Sequence, residues 1–144
     1  MVVLHPAGTQ LRAGADPADN ERSLILALRC ARRTTLLAAD AGQPAEAEME
    51  PLLSRVDLLK VGHHGSRSAS SAAFLARVAP KVAIISCGRD NRFGHPHPDV
   101  LRRLEAVGAR VCRTDLQGAI SVELTRGGTR MGSICVNAPR SAQR

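Results

Sequence analysis

The segment Asp57–Ser66, DLLKVGHHGS, decides the fold of this chain more than any other stretch of its sequence. Its first half is a compact apolar run, typical of a strand, and its second half places two histidines between two glycines. Glycine allows the backbone to turn sharply and to approach its neighbours closely. Because Ser71 then has the character of a helix N-cap, the segment predicts a strand, a sharp exit and a helix.

Apolar runs and helical patterns alternate on both sides of that segment. The other predicted strands are short apolar runs, at residues 2–4, 23–28, 34–38 and 82–85, near 111 and at 120–124. Helices are predicted from Pro44 onward, from Ser71 to Pro80 and from Pro98 to Gly108. This order predicts an α/β (α+β) fold with one mixed sheet and about three helices. Since residues 82–85 are almost uniformly apolar, we expect that strand to be covered on both faces.

The composition excludes several classes of protein. The 144 residues suit one domain, and an apolar content of 44% is enough for a buried core. No apolar run approaches the roughly 18–20 residues of a membrane-spanning helix, so a soluble chain without a transmembrane segment is expected. Two phenylalanines, with no tyrosine or tryptophan, disfavour a single-strand binder built on aromatic stacking.

The net charge of +7 is unevenly distributed. Residues 125–144 contain no acid, and they contain four of the arginines, namely Arg126, Arg130, Arg140 and Arg144. We therefore divide the chain into a folded part, residues 1–125, and a basic, flexible tail, residues 126–144. The four cysteines form no CxxC pair, which favours reduced thiols in the core.

Side chains of metal-ligand type follow three predicted strands, at the point where each strand ends. They are Asp40 after the third strand, His63 and His64 after the fourth, and His95 and His97 after the fifth. Such ends converge on one edge of a sheet, where ligand sites are usually built. Imidazole and carboxylate bind Zn²⁺ or Mn²⁺, and the metal lowers the pKa of bound water to roughly 7. The pattern predicts metal-assisted hydrolysis, with Ser66 and the Gly65 amide holding a phosphate oxygen.

Each of these residues also has a structural interpretation. Asp40 could begin a turn with Gly42 and Pro44. His97 could be only the residue that caps the next helix, and His5 is interpreted as structural or as a surface residue at a strand end.

Four blocks of this sequence occur in an order and spacing that resemble one family. They are Asn20–Leu24 (NERSL), Leu36–Asp40 (LLAAD), Leu59–Ser66 (LKVGHHGS) and Asn91–Pro98 (NRFGHPHP). Together they resemble the extracytoplasmic metallo-β-lactamase-fold domain of the ComEC competence proteins, which are membrane channels for DNA uptake in natural transformation. The resemblance runs from about residue 2 to residue 124.

The resemblance implies an αββα sandwich and a hydrolase that acts on a phosphodiester, with single-stranded or duplex DNA as the partner. Asp40 would match a carboxylate that bridges two metal ions, and His63 or His64 a late histidine ligand. The prediction puts one of the two histidines on metal and the other near substrate, because an extended backbone points them in opposite directions. His95 with Asn91 would border the cleft and bind phosphate or transfer a proton, and His97 would contact substrate.

Two departures from the family pattern bear on function. The family's Thr-Gly-Asp stands here as Ala38-Ala39-Asp40, so a glycine that shapes the turn before the carboxylate is replaced. The family's His-x-(Asp/His)-x-Asp-His motif does not occur, so the chain is expected to match the C-terminal half of the domain. Either the start of the chain is misplaced, or the gene is a fragment, or a partner chain supplies the missing N-terminal half. The family's membrane channel, on the extracytoplasmic side, is a further expected partner. The alternative is a non-catalytic half-domain that binds DNA weakly or serves assembly.

Overall fold

The computed structural model describes residues 1–6, 20–125 and 127–134, and these residues include a six-stranded mixed sheet. Its strands are adjacent in chain order: β1 (Val2–His5), β2 (Ile25–Cys30), β3 (Arg33–Leu37), β4 (Leu58–Lys60), β5 (Val82–Ile85) and β6 (Arg110–Arg113). The first three strands pair antiparallel, and β3 to β6 pair parallel. The predicted α/β class and the mixed sheet are therefore confirmed.

Three helices connect the parallel strands, and they are α1 (Gln43–Met49), α2 (Ala72–Val78) and α3 (Pro98–Ala106). A short helix of the described residues, α4 (Thr114–Gln117), follows β6. The predicted cap of α2 is present, because the Ser71 hydroxyl accepts a hydrogen bond from the Phe74 amide at 3.2 Å. His97 caps α3 through its ring, since Nδ1 accepts from the Asp99 amide at 3.1 Å. The predicted capping contact of His97 is thus confirmed.

The sheet is packed on both faces. One face carries the main core, where α2 contributes Phe74, Leu75 and Val78 and α3 contributes Val100 and Leu104. On the other face, Ile120 and Val122 of β7 (Ala119–Thr125) pack against a second cluster of Leu58, Val82 and Cys112. Cover on both faces of β5 is therefore confirmed.

Two local predictions differ from the structure. The β2–β3 connection is a two-residue turn, because Cys30 pairs with Arg33, whereas a turn of several residues was expected. The predicted basic tail begins with β8 (Gly128–Ile134), which pairs with β7 along its whole length. Residues 135–144 of that tail lie outside the described residues. No helix in the described ranges is long and apolar enough to cross a membrane.

The parallel strands give the sheet two chemically different edges. We call the edge where β3 to β6 end the carboxyl edge, and the edge where they begin the amino edge. Parallel strands present consecutive loops at the same edge, so residues distant in sequence meet there. All the predicted site residues follow the ends of β3, β4 and β5 and so belong to the carboxyl edge.

Candidate functional site at the carboxyl edge

Backbone hydrogen bonds hold three loops together at the carboxyl edge. The His63 amide donates to the Ala39 carbonyl at 2.9 Å, which joins the loop after β4 to the loop after β3. The His97 amide donates to the Gly65 carbonyl at 2.9 Å, which joins the loop after β5 to the same turn. The structure thus brings together Asp40, the histidine pair and His95, as the strand order leads one to expect.

His64 and Asp40 face each other across this site. Nε2 of His64 lies 3.5 Å from Oδ1 of Asp40, and both side chains are about half exposed. Nδ1 of His64 lies 2.7 Å from the Ser86 carbonyl oxygen, which can only accept, so Nδ1 carries a proton and donates it. When His64 is neutral, its unprotonated Nε2 therefore faces the carboxylate, and two lone-pair donors suited to a cation stand together.

His63 has different neighbours. Its Nε2 lies 3.4 Å from Nδ2 of Asn20, the first residue of the short 3-10 turn before β2. Its ring centroid lies 6.0 Å from that of His95 and 6.5 Å from that of His64. The two histidines therefore divide the site, with His64 on the Asp40 side and His63 on the His95 side.

Asn91 shapes the loop that carries His95. Its Oδ1 accepts from the His95 amide at 2.9 Å, and its Nδ2 donates to the carbonyls of Gly88 at 2.9 Å and His95 at 2.6 Å. The amide is thereby engaged with the backbone, so the structure gives Asn91 a positioning contact. Its predicted catalytic role stays a prediction.

The environment of His95 favours a neutral ring. Burial lowers the pKa of His95, and the nearby His63, His64 and His97 rings lower it further. Phe93 stacks on the His95 ring, with centroids 5.9 Å apart, although Phe93 itself is 67% exposed. A neutral imidazole can accept a proton near pH 7, which is the chemistry the sequence predicted for this position.

The three predicted substrate-binding residues occupy different environments. Gly65 is buried under Pro96, and an added Cβ would lie 2.7 Å from the Pro96 Cβ. The Ser66 hydroxyl lies 3.1 Å from that of Ser68. His97 uses Nδ1 to cap α3. Their contacts with substrate stay predictions, whereas their contacts within the loops are those of positioning residues.

Three residues of this site have left-handed backbone. Ala39, His63 and His64 have φ angles of 46°, 45° and 55°. Such angles cost a residue with a side chain about 1–2 kcal/mol each. The two histidines lie in a tight turn, Gly62–Gly65, and not in the extended backbone that the sequence analysis expected. That expectation was wrong because two consecutive left-handed residues curl the chain, yet the turn still gives each ring its own neighbours.

We expect Ala39→Gly to stabilise the protein by up to about 1 kcal/mol, because glycine adopts positive φ without strain but loses more chain entropy on folding. Urea unfolding of the two proteins would measure this difference. Ala38→Gly is the matched control, since Ala38 is fully buried and does not have a positive φ. It should lower stability instead, and a stabilising Ala38→Gly or a destabilising Ala39→Gly would contradict the assignment of strain to Ala39.

Lys60 and Ser86 belong to this site although neither was predicted from the sequence to have a role. Burial lowers the pKa of Lys60, while the charge of Asp40 acts in the opposite direction. Nζ of Lys60 donates to the Val61 carbonyl at 2.9 Å. Lys60 lies inside the block Leu59–Ser66 that resembles the family, so the sequence could have indicated it as a residue of the site. Ser86 contributes its backbone carbonyl, which every residue type has, so the sequence could not indicate this contact.

The residues that the structure describes contain no group of three or more His, Cys, Asp or Glu side chains placed to hold a metal ion. In this part of the chain, Asp40 and His64 therefore form a two-residue arrangement. Structural zinc sites use four protein ligands and catalytic ones three, so a complete site needs further ligands.

This chain is similar in sequence to several known proteins. No family model matches the chain. The ComE operon protein 3 of Bacillus subtilis is 38% identical over 127 residues, which are 86% of this chain and 16% of that protein. Competence protein ComA of Neisseria gonorrhoeae is 36% identical over 117 residues, 78% of this chain and 17% of that protein. Most of this chain is homologous to one segment of the ComEC-type competence proteins.

Recombination protein 2 of Haemophilus influenzae gives the same result, at 37% identity over 73% of this chain. The chain spans only 13–17% of the length of these three relatives. Any activity of the full-length relatives is therefore only proposed for this chain.

Proposed function

We propose that this ComEC-type chain is part of a metal-dependent phosphodiesterase of the metallo-β-lactamase fold that cleaves DNA, in single strands or duplexes. The proposal rests on the pairing of His64 with Asp40 at the carboxyl edge, within a segment homologous to competence proteins. Zn²⁺ or Mn²⁺ is the proposed metal, and two ions in a complete domain agree with the bridging role proposed for Asp40.

The His64–Asp40 pair suits a shared cation. Two ligands of one tetrahedral zinc ion stand about 3.4 Å apart, and the two facing atoms are 3.5 Å apart. The hydrogen bond from Nδ1 of His64 to the Ser86 carbonyl fixes the tautomer that presents Nε2, as second partners of metal-binding histidines usually do. When bound, the metal supplies a nucleophilic water at neutral pH.

Other residues of the site supply orientation and proton handling. His95, kept neutral by burial, accepts or returns a proton at its ring, and Asn91 holds the backbone that carries this ring. His63 stands between Asn20 and His95, where it contacts substrate in our proposal. Lys60 offers a positive charge near Asp40, and Ser66 offers a hydroxyl to a phosphate oxygen.

Calorimetric titration of Zn²⁺ and Mn²⁺ into the chelator-treated chain tests this proposal. We expect binding that weakens at least about tenfold in both Asp40→Ala and His64→Ala, since each removes one of few ligands. His97→Asn is the matched control, because it removes an imidazole but keeps a side chain suited to an N-cap. It should leave metal affinity unchanged. DNA cleavage by the metal-loaded chain would then be assayed with the same variants.

Metal binding that is unchanged in Asp40→Ala and His64→Ala, or no metal binding at all, would contradict the proposal. The second candidate, a non-catalytic module that binds DNA or serves assembly, would then be favoured. It predicts DNA binding that both substitutions leave unchanged and that falls as salt rises.

A further inference from the structure

The amino edge of the sheet, opposite the candidate site, carries a row of cations. We call this row the basic edge; it consists of Arg32, Arg33, Arg55, Lys81 and Arg110. Arg32 and Arg33 lie at the β2–β3 turn, Arg55 precedes β4, Lys81 precedes β5 and Arg110 begins β6. All but Arg33 are exposed. No sequence motif predicts a role for any of them.

One carboxylate stands among these cations, and it leaves most of their charge unbalanced. Asp57 Oδ1 accepts from Arg33 at 2.9 Å and from Lys81 at 2.8 Å. Arg32 and Arg55 have no ion pair with any acid in the described residues. A cavity of about 510 Å³ lies between them, lined by four of the five cations together with Thr34, Val56, Asp57 and Ala79.

The turn that presents Arg32 is strained. Ala31 and Arg32 have φ angles of 51° and 66°, and they form a two-residue hairpin turn that normally takes Asn-Gly or Gly-Gly. An arginine thus occupies a position where glycine would be more stable. Strain of this kind persists only where the surrounding structure holds the residue in place, so the hairpin keeps Arg32 at the amino edge in spite of the cost.

The arrangement fits an extended polyanion. Neighbouring strands lie about 4.8 Å apart, so cations distributed from β3 to β6 form a row about 14 Å long. One DNA strand carries a phosphate about every 3.4 Å of helix axis, so such a row faces several phosphates in succession. Arginine, which supplies four of the five cations, binds phosphate oxygens through a planar fork.

We propose that the basic edge is a second nucleic-acid site, which binds the phosphate backbone of DNA or RNA without reading its sequence. This goes beyond the proposed function, because the basic edge lies at the other end of the strands from Asp40 and His64. A membrane surface fits less well. The lining is concave and polar, and none of the exposed large apolar side chains in the described residues lines the cavity.

Fluorescence anisotropy with a labelled 20-nucleotide strand and its duplex, in EDTA and across a salt series, tests this proposal. Ala31→Asn/Arg32→Gly installs the preferred turn and removes one cation, so it should raise the melting temperature while weakening binding. Adding Arg55→Gln should weaken binding about tenfold in total and reduce the log–log salt slope by about two. Opposite effects on stability and affinity are not expected of a merely structural Arg32.

Two control variants separate the alternatives. Ala31→Asn alone keeps Arg32, and Arg102→Gln removes an exposed cation of α3 outside the basic edge, so both should bind as the unchanged chain does. Unchanged binding in the variant that lacks both Arg32 and Arg55, equal weakening by Arg102→Gln, or binding to anionic phosphatidylserine vesicles but not to oligonucleotides would each overturn the proposal.

Discussion

Gly65→Ala is expected to destabilise the protein by about 3–5 kcal/mol, more than any other single substitution considered for this chain. Two independent costs combine at this position. Gly65 has a φ of 81°, which strains any residue with a side chain, and its new Cβ would lie 2.7 Å from the Pro96 Cβ and 3.1 Å from the Pro96 Cα. The second contact involves backbone, so the loop that carries His95 and His97 would have to move.

Gly108→Ala is the matched control for this prediction. Gly108 has a φ of 72°, close to that of Gly65, but an added Cβ would meet nothing within 4 Å. It should therefore lose only about 1 kcal/mol, the cost of the backbone angle alone. Urea unfolding of the three proteins would measure both losses. Equal losses would mean that the contact between Gly65 and Pro96 contributes nothing.

The same substitution has a consequence for the candidate site. The His97 amide donates to the Gly65 carbonyl, so Gly65 and Pro96 fix the distance between the histidine turn and the His95 loop. If Gly65→Ala remains folded at low temperature, its carboxyl edge should be rearranged. The His95 ring resonances in an NMR spectrum would then shift, while those of Gly108→Ala would not.

Much of this architecture could be predicted because each prediction rested on a local signal. Ser71 and Pro98 marked helix starts, and a uniformly apolar run marked β5 as a strand covered on both faces. Convergence of Asp40, His64 and His95 followed from the order of strands and helices alone. These features depend on side-chain type within short stretches of the chain, so a single sequence is enough to predict them.

What could not be predicted depends on backbone angles and on contacts between distant segments. Left-handed backbone is normally avoided by residues with a side chain, yet it is adopted here by Ala39, His63, His64 and Arg32. Residue propensity therefore gave the wrong expectation at the histidine turn and at the β2–β3 turn. Glu46 is a second case. Its buried carboxylate accepts from the Ser70 and Ser71 amides, and nothing in a glutamate of an acidic helix start indicates such a partner.

The contacts of Asp57 could not be predicted from the sequence either, and their loss is expected to have the second large effect on stability. It was interpreted as the first residue of an apolar strand, yet its carboxylate joins three segments at the amino edge. Oδ1 accepts from Arg33 and Lys81, and Oδ2 accepts from the Thr34 amide at 2.9 Å. Burial would raise the pKa of Asp57, but the hydrogen bonds from Lys81, Thr34 and Arg33 outweigh burial and lower it from 3.8 to about 2.

Asp57→Asn is expected to cost about 2 kcal/mol at pH 7, a loss that disappears in acid. Because the folded pKa lies below the unfolded value, the charged form stabilises the folded state. That stabilisation is complete above about pH 5 and is lost as the pH falls toward 2. Urea unfolding of both proteins from pH 7 to pH 2.5 should therefore show two curves that converge at low pH.

Glu105→Gln controls for the removal of any carboxylate. Glu105 is exposed in α3, so this variant should follow the unchanged protein at every pH. A constant gap between Asp57→Asn and the unchanged protein down to pH 2.5 would contradict the electrostatic explanation, because a packing defect does not depend on protonation. Convergence confined to Asp57→Asn would instead show that a charged carboxylate holds β3, β4 and β5 together at the edge where the cations gather.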